Sequence, residues 1–431
     1  MSKPLIQLAA CVLLGLAAGG CALGAGLLAW GAFLPADVPG IFPARGAGGH
    51  AVWAAGFLVG ALTLLVVWLR RGGGLGRWVR LVVALAVAAA TTAGALSMHR
   101  YRWDIVMRTV PSAHDLPIDA AGYQVQKLPF RFAASFARGG EVYFVSGAGE
   151  VSKADDADPA TSLRRIGSCG VGPRMLFVSS RGTIFVSGSG QGMVRSGDGG
   201  KTWNKCMDWS VWRMDEDAAG GGLYAGNYSP RNSLDFHAAV FRSDDDGAAW
   251  REVFTDRKLD HVHTVRVDEP AHRIYIAAGD GPTRGQLASD DGGASWRTIL
   301  AGAKQGHTDV ALTDSNVIWG SDDWLGRIIL AGRGDAQIGR TVLWCRGQQV
   351  WFVAAEGRQA YAGTFAEKAG KGDAVYLLAS DDGGASWRKL LARGASRAGP
   401  AGLIGESRRL SAAGWLYFTT TEGECWRVRR G

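Results

Sequence analysis

Basic and aromatic side chains recur at the places where short apolar strands are expected to begin. They are Arg174, Trp212, Arg213, His263 and His307. Guanidinium groups pair with carboxylates, imidazoles exchange protons or ligate metals, and an indole face takes apolar groups. Because these residues precede successive strands, we expect them to converge on one rim and form a binding surface. The alternative is that each is an ordinary polar residue at the start of a strand.

Two long predicted loops carry further residues that would lie beside this rim. The first loop contains Tyr228 and Arg231, and the second contains Asp322, Asp323 and Trp324. Loops held on a rigid scaffold commonly carry recognition residues. We therefore include these five residues in the expected binding surface.

Acidic residues on predicted loops raise the alternative of a two-carboxylate glycoside hydrolase. They are Asp280, Asp322, Asp323 and Glu367. The sequence does not show which acids approach one another, and the competing interpretation is that all four are solvated. We therefore assign no catalytic residue. The sequence favours a binding protein over an enzyme.

Asp260, His261 and His263 are spaced as in a metal-binding cluster. The His-x-His spacing on a strand puts both rings on one face. No third ligand is evident nearby in the sequence. The sequence therefore predicts no metal site, and we expect no cofactor.

A repeated segment, Ser-x-Asp-x-Gly-x-x-Trp, defines the elements that must position these residues. Its four copies are Ser196, Asp198, Gly200 and Trp203; Ser243, Asp245, Gly247 and Trp250; Ser289, Asp291, Gly293 and Trp296; and Ser380, Asp382, Gly384 and Trp387. The tryptophans are 47, 46 and 91 residues apart, so a degenerate copy is expected near 331–338. Two further degenerate copies, near 152–158 and 419–426, bring the number of repeat units to seven.

Each unit contains short apolar segments separated by Gly/Asp turns, which indicates antiparallel strands. In the repeated turn, Asp and Ser accept hydrogen bonds from the backbone, Gly supplies a positive φ, and Trp is a large apolar plug. Four strands at this period are typical of a propeller blade. The sequence therefore predicts an all-β, seven-bladed β-propeller over 118–431, in which the sixteen repeat residues are structural.

The four turns resemble the Asp-box, or BNR, repeats of sialidase-like propellers. That superfamily includes glycosidases, sortilin-type receptor domains and non-enzymatic propellers that assist photosystem II assembly. The resemblance covers roughly 118–431. It implies a binding surface on one face of the propeller and leaves the function open.

This sequence departs from what the resemblance to sialidases would require. Those enzymes carry a Phe/Tyr-Arg-Ile-Pro segment in the first blade, and the nearest match here is Phe130-Arg131-Phe132, which lacks Ile-Pro. Seven units also differ from the six blades of sialidases. The resemblance therefore favours the assembly-factor type of propeller.

The first hundred residues have a different composition, with three long apolar segments. We expect transmembrane helices at about 5–34, 51–69 and 78–98, followed by a linker at 99–117. The loop 70–80 holds four Arg and no acid, so the positive-inside rule places it and the N-terminus in the cytoplasm. The propeller would then lie in the periplasm of a bacterium, anchored in the inner membrane. A cleaved lipoprotein signal is the alternative for the first segment.

Four cysteines lie in the predicted propeller, and an oxidising compartment would allow disulfides. Cys169 and Cys206 bracket one unit, and we expect them to form a disulfide.

Taken together, the sequence predicts a non-enzymatic, membrane-anchored propeller that binds a protein partner or assists assembly of a membrane or envelope complex. The alternative is a membrane-tethered glycoside hydrolase or glycan-binding propeller. No basic run interleaved with aromatic residues occurs in the propeller, so we expect no nucleic acid as a partner.

Overall fold

The computed structural model describes residues 112–228, 237–280, 285–301, 307–322, 325–333 and 335–431. The three expected transmembrane helices lie outside these residues. Within the described ranges, no helix has the length and apolar character needed to cross a membrane.

The described chain folds into antiparallel four-stranded sheets that follow one another in sequence. A first strand, β1 (Tyr123–Arg131), precedes them. Sheet 1 comprises β2 (Ala134–Arg138), β3 (Glu141–Val145), β4 (Glu150–Asp155) and β5 (Arg164–Ser168). Sheet 2 comprises β6 (Pro173–Val178), β7 (Ile184–Gly188), β8 (Gly192–Ser196) and β9 (Asn204–Met207). Sheet 3 comprises β10 (Val211–Asp217), β11 (Gly222–Asn227), β12 (Ala238–Ser243) and β13 (Arg251–Asp256).

The remaining strands continue the same order. Sheet 4 comprises β14 (Val262–Asp268), β15 (Arg273–Ala278), β16 (Gly285–Ser289) and β17 (Arg297–Ala301). Sheet 5 comprises β18 (His307–Leu312), β19 (Asn316–Ser321), β20 (Leu325–Gly332) and β21 (Asp335–Arg346). Sheet 6 comprises β22 (Gln349–Glu356), β23 (Gln359–Ala369), β24 (Ala374–Ser380) and β25 (Arg388–Gly394). Sheet 7 comprises β26 (Gly399–Ile404), β27 (Leu416–Thr420), β28 (Glu424–Arg430) and β1. Strand β26 also pairs with β23, so sheets 6 and 7 are hydrogen-bonded into one eight-stranded sheet. Two short helices, α1 (Pro159–Ser162) and a 3₁₀ turn (Glu269–Ala271), interrupt the strands.

The sheets form a closed ring around a central channel. The first strand of each of the first six sheets is innermost and contacts the first strand of the next sheet, and β2 contacts β27 of sheet 7. Apolar clusters fill the spaces between neighbouring sheets. This ring is a β-propeller, the fold predicted from the repeat.

The ring is closed by strand β1, which comes from the beginning of the propeller and lies on the last sheet. It pairs antiparallel with β28 from Tyr123 opposite Arg430 to Arg131 opposite Glu424. Sheet 7 therefore takes three strands from the end of the chain and its outermost strand from residues about three hundred positions earlier. This pairing joins the two ends of the propeller without a disulfide.

The four Ser-x-Asp-x-Gly-x-x-Trp segments form turns between the third and fourth strands of their sheets, with the same Ser, Asp and Gly hydrogen bonds. The indole bond to the Gly carbonyl forms in three of them, and Trp250 of the second copy does not make it. In the second sheet, the Gly200 N–H donates to Ser196 Oγ at 2.8 Å, and Ser196 Oγ donates to Asp198 Oδ1 at 2.8 Å. The Trp203 indole N–H donates to the Gly200 carbonyl at 3.0 Å. Gly200 has a φ of +96°, a value that other L-residues rarely adopt. The turn is therefore built by bonds within eight residues.

These turns also pack against the preceding sheet. The Trp296 indole N–H donates to the carbonyl of Val253 on β13 at 2.8 Å. Trp250 meets the Phe185 ring edge-on at 6.4 Å between centroids. The repeat tryptophans thus connect neighbouring sheets near their outer edges, away from the channel.

The degenerate repeats have mixed outcomes. The segment 152–158 begins within β4, the third strand of sheet 1, and ends before β5. The segment 331–338 begins in β20 and ends in β21, the third and fourth strands of sheet 5, so both segments lie near the junction that the intact turns occupy. The segment 419–426 joins β27 to β28, which are the second and third strands of sheet 7. The interpretation of 419–426 as a seventh turn is therefore wrong, because β1 supplies the fourth strand.

The end of the expected linker packs on the propeller. Ser112 forms a parallel bridge with Trp344 on β21, and Ile118 forms one with Lys389 on β25. Ala113 between them is fully buried. Residues 112–118 therefore lie along the outer strands of sheets 5 and 6.

Candidate functional site

The same β-bulge occurs near the start of the innermost strand in sheets 2 to 6. In each of these strands, one residue has no partner on the second strand of the sheet, and the pairing resumes at the next residue. The bulged residues are Arg174, Trp212, His263, Thr308 and Trp351. A bulge turns a side chain away from the alternation of the strand. The structure therefore places five bulged residues around one end of the channel, which we call the mouth.

The bulge corrects two residues of the expected rim. Trp212, and not Arg213, is equivalent to Arg174 and His263, and Thr308 takes the place assigned to His307. A sequence pattern does not show the extra residue of a bulge. The residues predicted for the rim in sheets 3 and 5 are therefore displaced by one position. Trp351, the equivalent residue of sheet 6, was not predicted, because the extra residue of its bulge also leaves no pattern in the sequence.

Aromatic rings from three sheets meet at the mouth. The centroid of Trp212 lies 4.9 Å from that of Tyr228, 5.4 Å from that of His263 and 5.6 Å from that of Trp351. Trp351 in turn stacks on Phe365, with 10° between the ring planes. Edge-to-face and offset contacts of this kind stabilise aromatic clusters beyond the area they bury.

Arg174 covers this aromatic cluster. Its guanidinium carbon lies 4.0 Å from the Tyr228 ring centroid and 5.4 Å from that of Trp212. Burial lowers the pKa of Arg174 and raises the pKa of Tyr228. The buried Nε of Arg174 has no hydrogen-bond partner among the described residues. A cation over aromatic faces is thus available at the mouth for an anionic or carbonyl group.

Two histidines and two carboxylates adjoin the aromatic cluster. His261 Nε2 and His263 Nε2 lie 2.5 Å apart. Asp280 Oδ1 is 3.4 Å from His263 Nε2, and Asp322 Oδ2 is 3.5 Å from His263 Nδ1. Burial lowers the pKa of His263, but the Asp322 and Asp280 carboxylates outweigh burial and raise this pKa above its ordinary value. The mouth therefore carries both signs of charge.

The structure directs Arg213 down the channel, away from the mouth. Its Nη1 lies 3.1 Å from both carboxylate oxygens of Glu406. Further along the channel, Arg266 pairs with Asp215 at 3.0 Å, and Arg408 pairs with Asp309 at 3.0 Å. These charged groups are buried and paired, which is typical of structural ion pairs in a protein interior.

The segment 405–411, between β26 and β27, crosses the channel at the end opposite the mouth. Ser407 Oγ accepts a bond from the Ala137 N–H of sheet 1, and the Arg408 carbonyl accepts one from the Ala355 N–H of sheet 6. Arg409 pairs with Glu269 of sheet 4 at 2.5 Å. The segment is therefore bonded to sheets on different sides of the ring and covers part of this end of the channel.

Some expected site residues are not part of this geometry. Arg231, Asp323 and Trp324 lie outside the described residues. His307 contributes its backbone, because its carbonyl accepts a bond from His263 Nδ1 at 3.0 Å, while its ring packs against Trp319. Glu367 lies on β23, where its carboxylate accepts a bond from Gln349 Nε2 at 3.2 Å.

The expected disulfide between Cys169 and Cys206 is not formed. Both thiols are free, as are those of Cys345 and Cys425. Cys169 Sγ donates to the Val171 carbonyl, and Cys206 Sγ donates to the Met193 carbonyl. Each thiol therefore has its own backbone acceptor. The position of the two cysteines on either side of one repeat unit was not sufficient to predict a disulfide.

Asp280 is the residue of the cluster that sequence reasoning placed least well. The sequence predicts it only as a loop acid, because it lies 17 residues or more from His261 and His263 along the chain. The hairpin of β14 and β15 brings it back, since the Gly279 N–H donates to the His261 carbonyl at 2.8 Å. The signal in the sequence was the pairing of the two strands, which places 280 beside 261.

Comparison with solved structures supports the propeller fold. A solved structure described as YCF48 bound to D1 peptide is similar over 73% of this chain and 97% of its own, with 13% identity and a TM-score of 0.50. This likeness shows a shared β-propeller fold.

Two glycoside hydrolase structures are also similar, at lower scores. An ancestral GH74 enzyme matches over 64% of this chain and 40% of its own, with 15% identity and a TM-score of 0.48. The GH74 enzyme of Niastella koreensis matches over 68% of this chain and 64% of its own, with 12% identity and a TM-score of 0.39. No protein-family model matches the chain. No curated protein matches it either.

Proposed function

We propose that this chain is a membrane-anchored, non-enzymatic propeller that binds a segment of a protein partner at the channel mouth. The observation that carries the proposal is the joint surface of Arg174, Trp212, Tyr228 and Trp351, which three different sheets supply. A function in assembly of a membrane or envelope complex follows from such binding next to a membrane.

The chemistry of the mouth suits a peptide. Tryptophan, tyrosine and arginine are the residues that most often dominate binding energy at protein interfaces. The aromatic faces can take an apolar side chain, and the Arg174 guanidinium can take a backbone carbonyl or a carboxylate. The solved propeller with a bound D1 peptide makes a peptide the first ligand to test.

The location is part of the same proposal. Three apolar segments before residue 99, with an arginine-rich loop at 70–80, support an anchor in the bacterial inner membrane. With this orientation the propeller lies in the periplasm. Asp-box repeats of the sialidase-like type, inferred from the four matching turns, belong to the proposal as well.

A glycoside hydrolase or glycan-binding propeller is the second candidate, because two carboxylates lie at the mouth. Asp280 and Asp322 face opposite edges of one imidazole, that of His263. A glycosidase needs the scissile bond between its two acids. Here the buried His263 ring occupies that position, so the geometry supports the binding protein over the hydrolase.

Affinity purification from detergent-solubilised membranes tests the proposal. We expect the full-length chain to recover a partner in stoichiometric amount, and Trp351→Ala and Arg174→Ala to lose it. Arg181→Ala is the matched control, because this exposed arginine lies in the turn after β6, at the other end of the strand that carries Arg174.

Two results would contradict the proposal. One is recovery of the same partner by the Trp351→Ala and Arg174→Ala variants at the wild-type level. The other is hydrolysis of a fluorogenic glycoside that Asp322→Asn abolishes, which would establish the second candidate.

A further inference from the structure

We infer that His261, His263 and Asp280 form a binding site for a divalent transition-metal ion of the zinc class. Three potential ligand atoms, one from each residue, lie within 4.8 Å of one another. Both histidines are buried, and the aspartate is partly buried. This site adjoins the peptide surface proposed above, since the His261 ring lies 4.3 Å from that of Tyr228, but metal binding does not depend on the peptide.

The fold positions the three residues through one hairpin. His261 immediately precedes β14, and Asp280 follows β15, its antiparallel neighbour. The Gly279 N–H to His261 carbonyl bond, at 2.8 Å, fixes the two chain ends side by side. His263 is the bulged residue of β14. The bulge therefore sets its ring close to that of His261, with centroids 4.5 Å apart.

The protonation state of His263 leaves one ring nitrogen available for a metal. Its Nδ1 lies 3.0 Å from the His307 carbonyl oxygen, which can only accept, so Nδ1 carries the proton. In the neutral ring, Nε2 then has a lone pair. That lone pair faces His261 Nε2 and Asp280. A backbone carbonyl that holds the far nitrogen is the arrangement commonly found behind metal-ligating histidines.

The distances are close to those that a metal requires. Zinc bonds of about 2.0–2.1 Å in a tetrahedron place ligand atoms about 3.3 Å apart. Asp280 Oδ1 is 3.4 Å from His263 Nε2, and Asp280 Oδ2 is 3.8 Å from His261 Nε2. The two ring nitrogens, at 2.5 Å, would have to separate by about 0.8 Å. Without a metal, one ring donates an N–H···N hydrogen bond to the other, and a bound metal ion would displace that proton.

The surrounding charge favours a cation. Asp322 Oδ2 lies 3.5 Å from His263 Nδ1, so two carboxylates flank the histidine pair. Two imidazoles and one carboxylate suit zinc and the other first-row divalent ions from iron to copper. Three protein ligands also leave a coordination position for water or a ligand, as in open zinc sites.

Cobalt(II) titration of the full-length chain tests the site. The protein is purified in detergent without a histidine tag, treated with a chelator and titrated with Co²⁺ alone. We expect one equivalent to bind with visible d–d absorption, and one equivalent of Zn²⁺ to displace it. Asp280→Asn, which preserves shape, and His263→Gln should weaken binding by more than the roughly 10–100-fold that loss of an outer-shell partner costs.

His272→Asn is the matched control. His272 lies at the opposite end of the same hairpin with its side chain 66% exposed, and Asn tolerates its left-handed backbone. It should bind Co²⁺ like the wild type. Zn²⁺ should also raise the thermal midpoint of the wild type, but not that of Asp280→Asn.

Three results would overturn the inference. They are no stoichiometric Co²⁺ binding by the wild type, binding by Asp280→Asn at the wild-type level, and an equal rise in midpoint with Zn²⁺ in both proteins.

Discussion

Arg213 and Glu406 form an ion pair across the channel, from sheet 3 to the segment that follows the first strand of sheet 7. The Arg213 guanidinium reaches both oxygens of the Glu406 carboxylate at 3.1 Å, and the two side chains are only 3% and 2% exposed. Burial raises the pKa of Glu406, although Arg213 and Arg408 lower it. The pair therefore holds the crossing segment in place at a considerable desolvation cost.

Removal of one partner of this pair should destabilise the propeller. Glu406→Gln leaves Arg213 buried without its counter-ion, so we expect the free energy of unfolding to fall by about 3–5 kcal/mol. Urea denaturation followed by tryptophan fluorescence measures this. As the control, Asp208→Asn breaks the exposed Lys205–Asp208 pair and should cost less than about 1 kcal/mol. Equal losses for the two variants would show that Arg213 and Glu406 do not depend on each other.

The contact between sheets 1 and 2 should be sensitive to a single methyl group. A Cβ on Gly167 would lie 1.9 Å from the Gly200 carbonyl oxygen, which belongs to a repeat turn. Because this neighbour is backbone and cannot rotate away, we expect Gly167→Ala to lower the free energy of unfolding by about 2 kcal/mol or more.

Gly197→Ala provides the comparison for this prediction, since the nearest atom to its added Cβ is 4.0 Å away. Gly197 lies in the same turn as Gly200, and its substitution by Ala should change the free energy of unfolding by less than about 0.5 kcal/mol. Urea midpoints of the two variants measure the difference. If Gly167→Ala is as stable as Gly197→Ala, the turn does not pack against β5 as described.

The repeat turns should make the propeller sensitive to acid. The hydroxyl and backbone N–H of Ser295 lower the pKa of Asp291 to about 2, and Thr202 similarly lowers the pKa of Asp198. A carboxyl whose folded pKa is lowered stabilises the protein above its unfolded pKa of about 3.9, and this stability is lost as the pH falls through the folded value. We expect the thermal midpoint to be nearly constant above about pH 5 and to fall between about pH 4 and pH 2.

Asp291→Asn isolates one turn in this measurement. The variant should have a lower midpoint at pH 7, and its further fall on acidification should be smaller than that of the wild type, because one titrating group is removed. Calorimetry at a series of pH values measures both. Parallel curves for the two proteins would contradict a contribution of Asp291 to the acid sensitivity.

The four propeller cysteines should be countable as free thiols. In a Cys11→Ser/Cys21→Ser background, denaturant without reductant should expose four reactive thiols to a disulfide reagent. In the folded protein, burial raises the pKa of Cys206 to about 11, so its reaction at pH 8 should be on the order of a hundredfold slower than that of a free cysteine. A count of two thiols in denaturant would restore the disulfide that the sequence suggested.

Much of the propeller was predictable because its repeated turn is local. Ser289, Asp291, Gly293 and Trp296 bond to one another or to backbone within the same eight residues, so the pattern is visible in the sequence. The tryptophan spacing then gave the period of the sheets. The strands between the turns follow from short apolar segments, whose alternation requires no knowledge of distant residues.

The closing strand and the composition of the mouth depended on the tertiary structure. β1 pairs with β28 across about three hundred residues, and a pairing at this separation leaves no local pattern. The bulges at Trp212 and Trp351 each add one residue without a signature in the sequence, and they decide which side chains reach the mouth.

Asp280 and Glu406 show how tertiary structure decides the surroundings of a single residue. From the sequence alone, each is an acid on a loop. Hairpin pairing brings Asp280 to His263, and a crossing segment brings Glu406 to Arg213. The sequence by itself therefore determined the repeated sheets, because their turns are bonded locally. Only the closed ring decided which distant side chains meet in its channel, because those contacts arise after the strands are already paired.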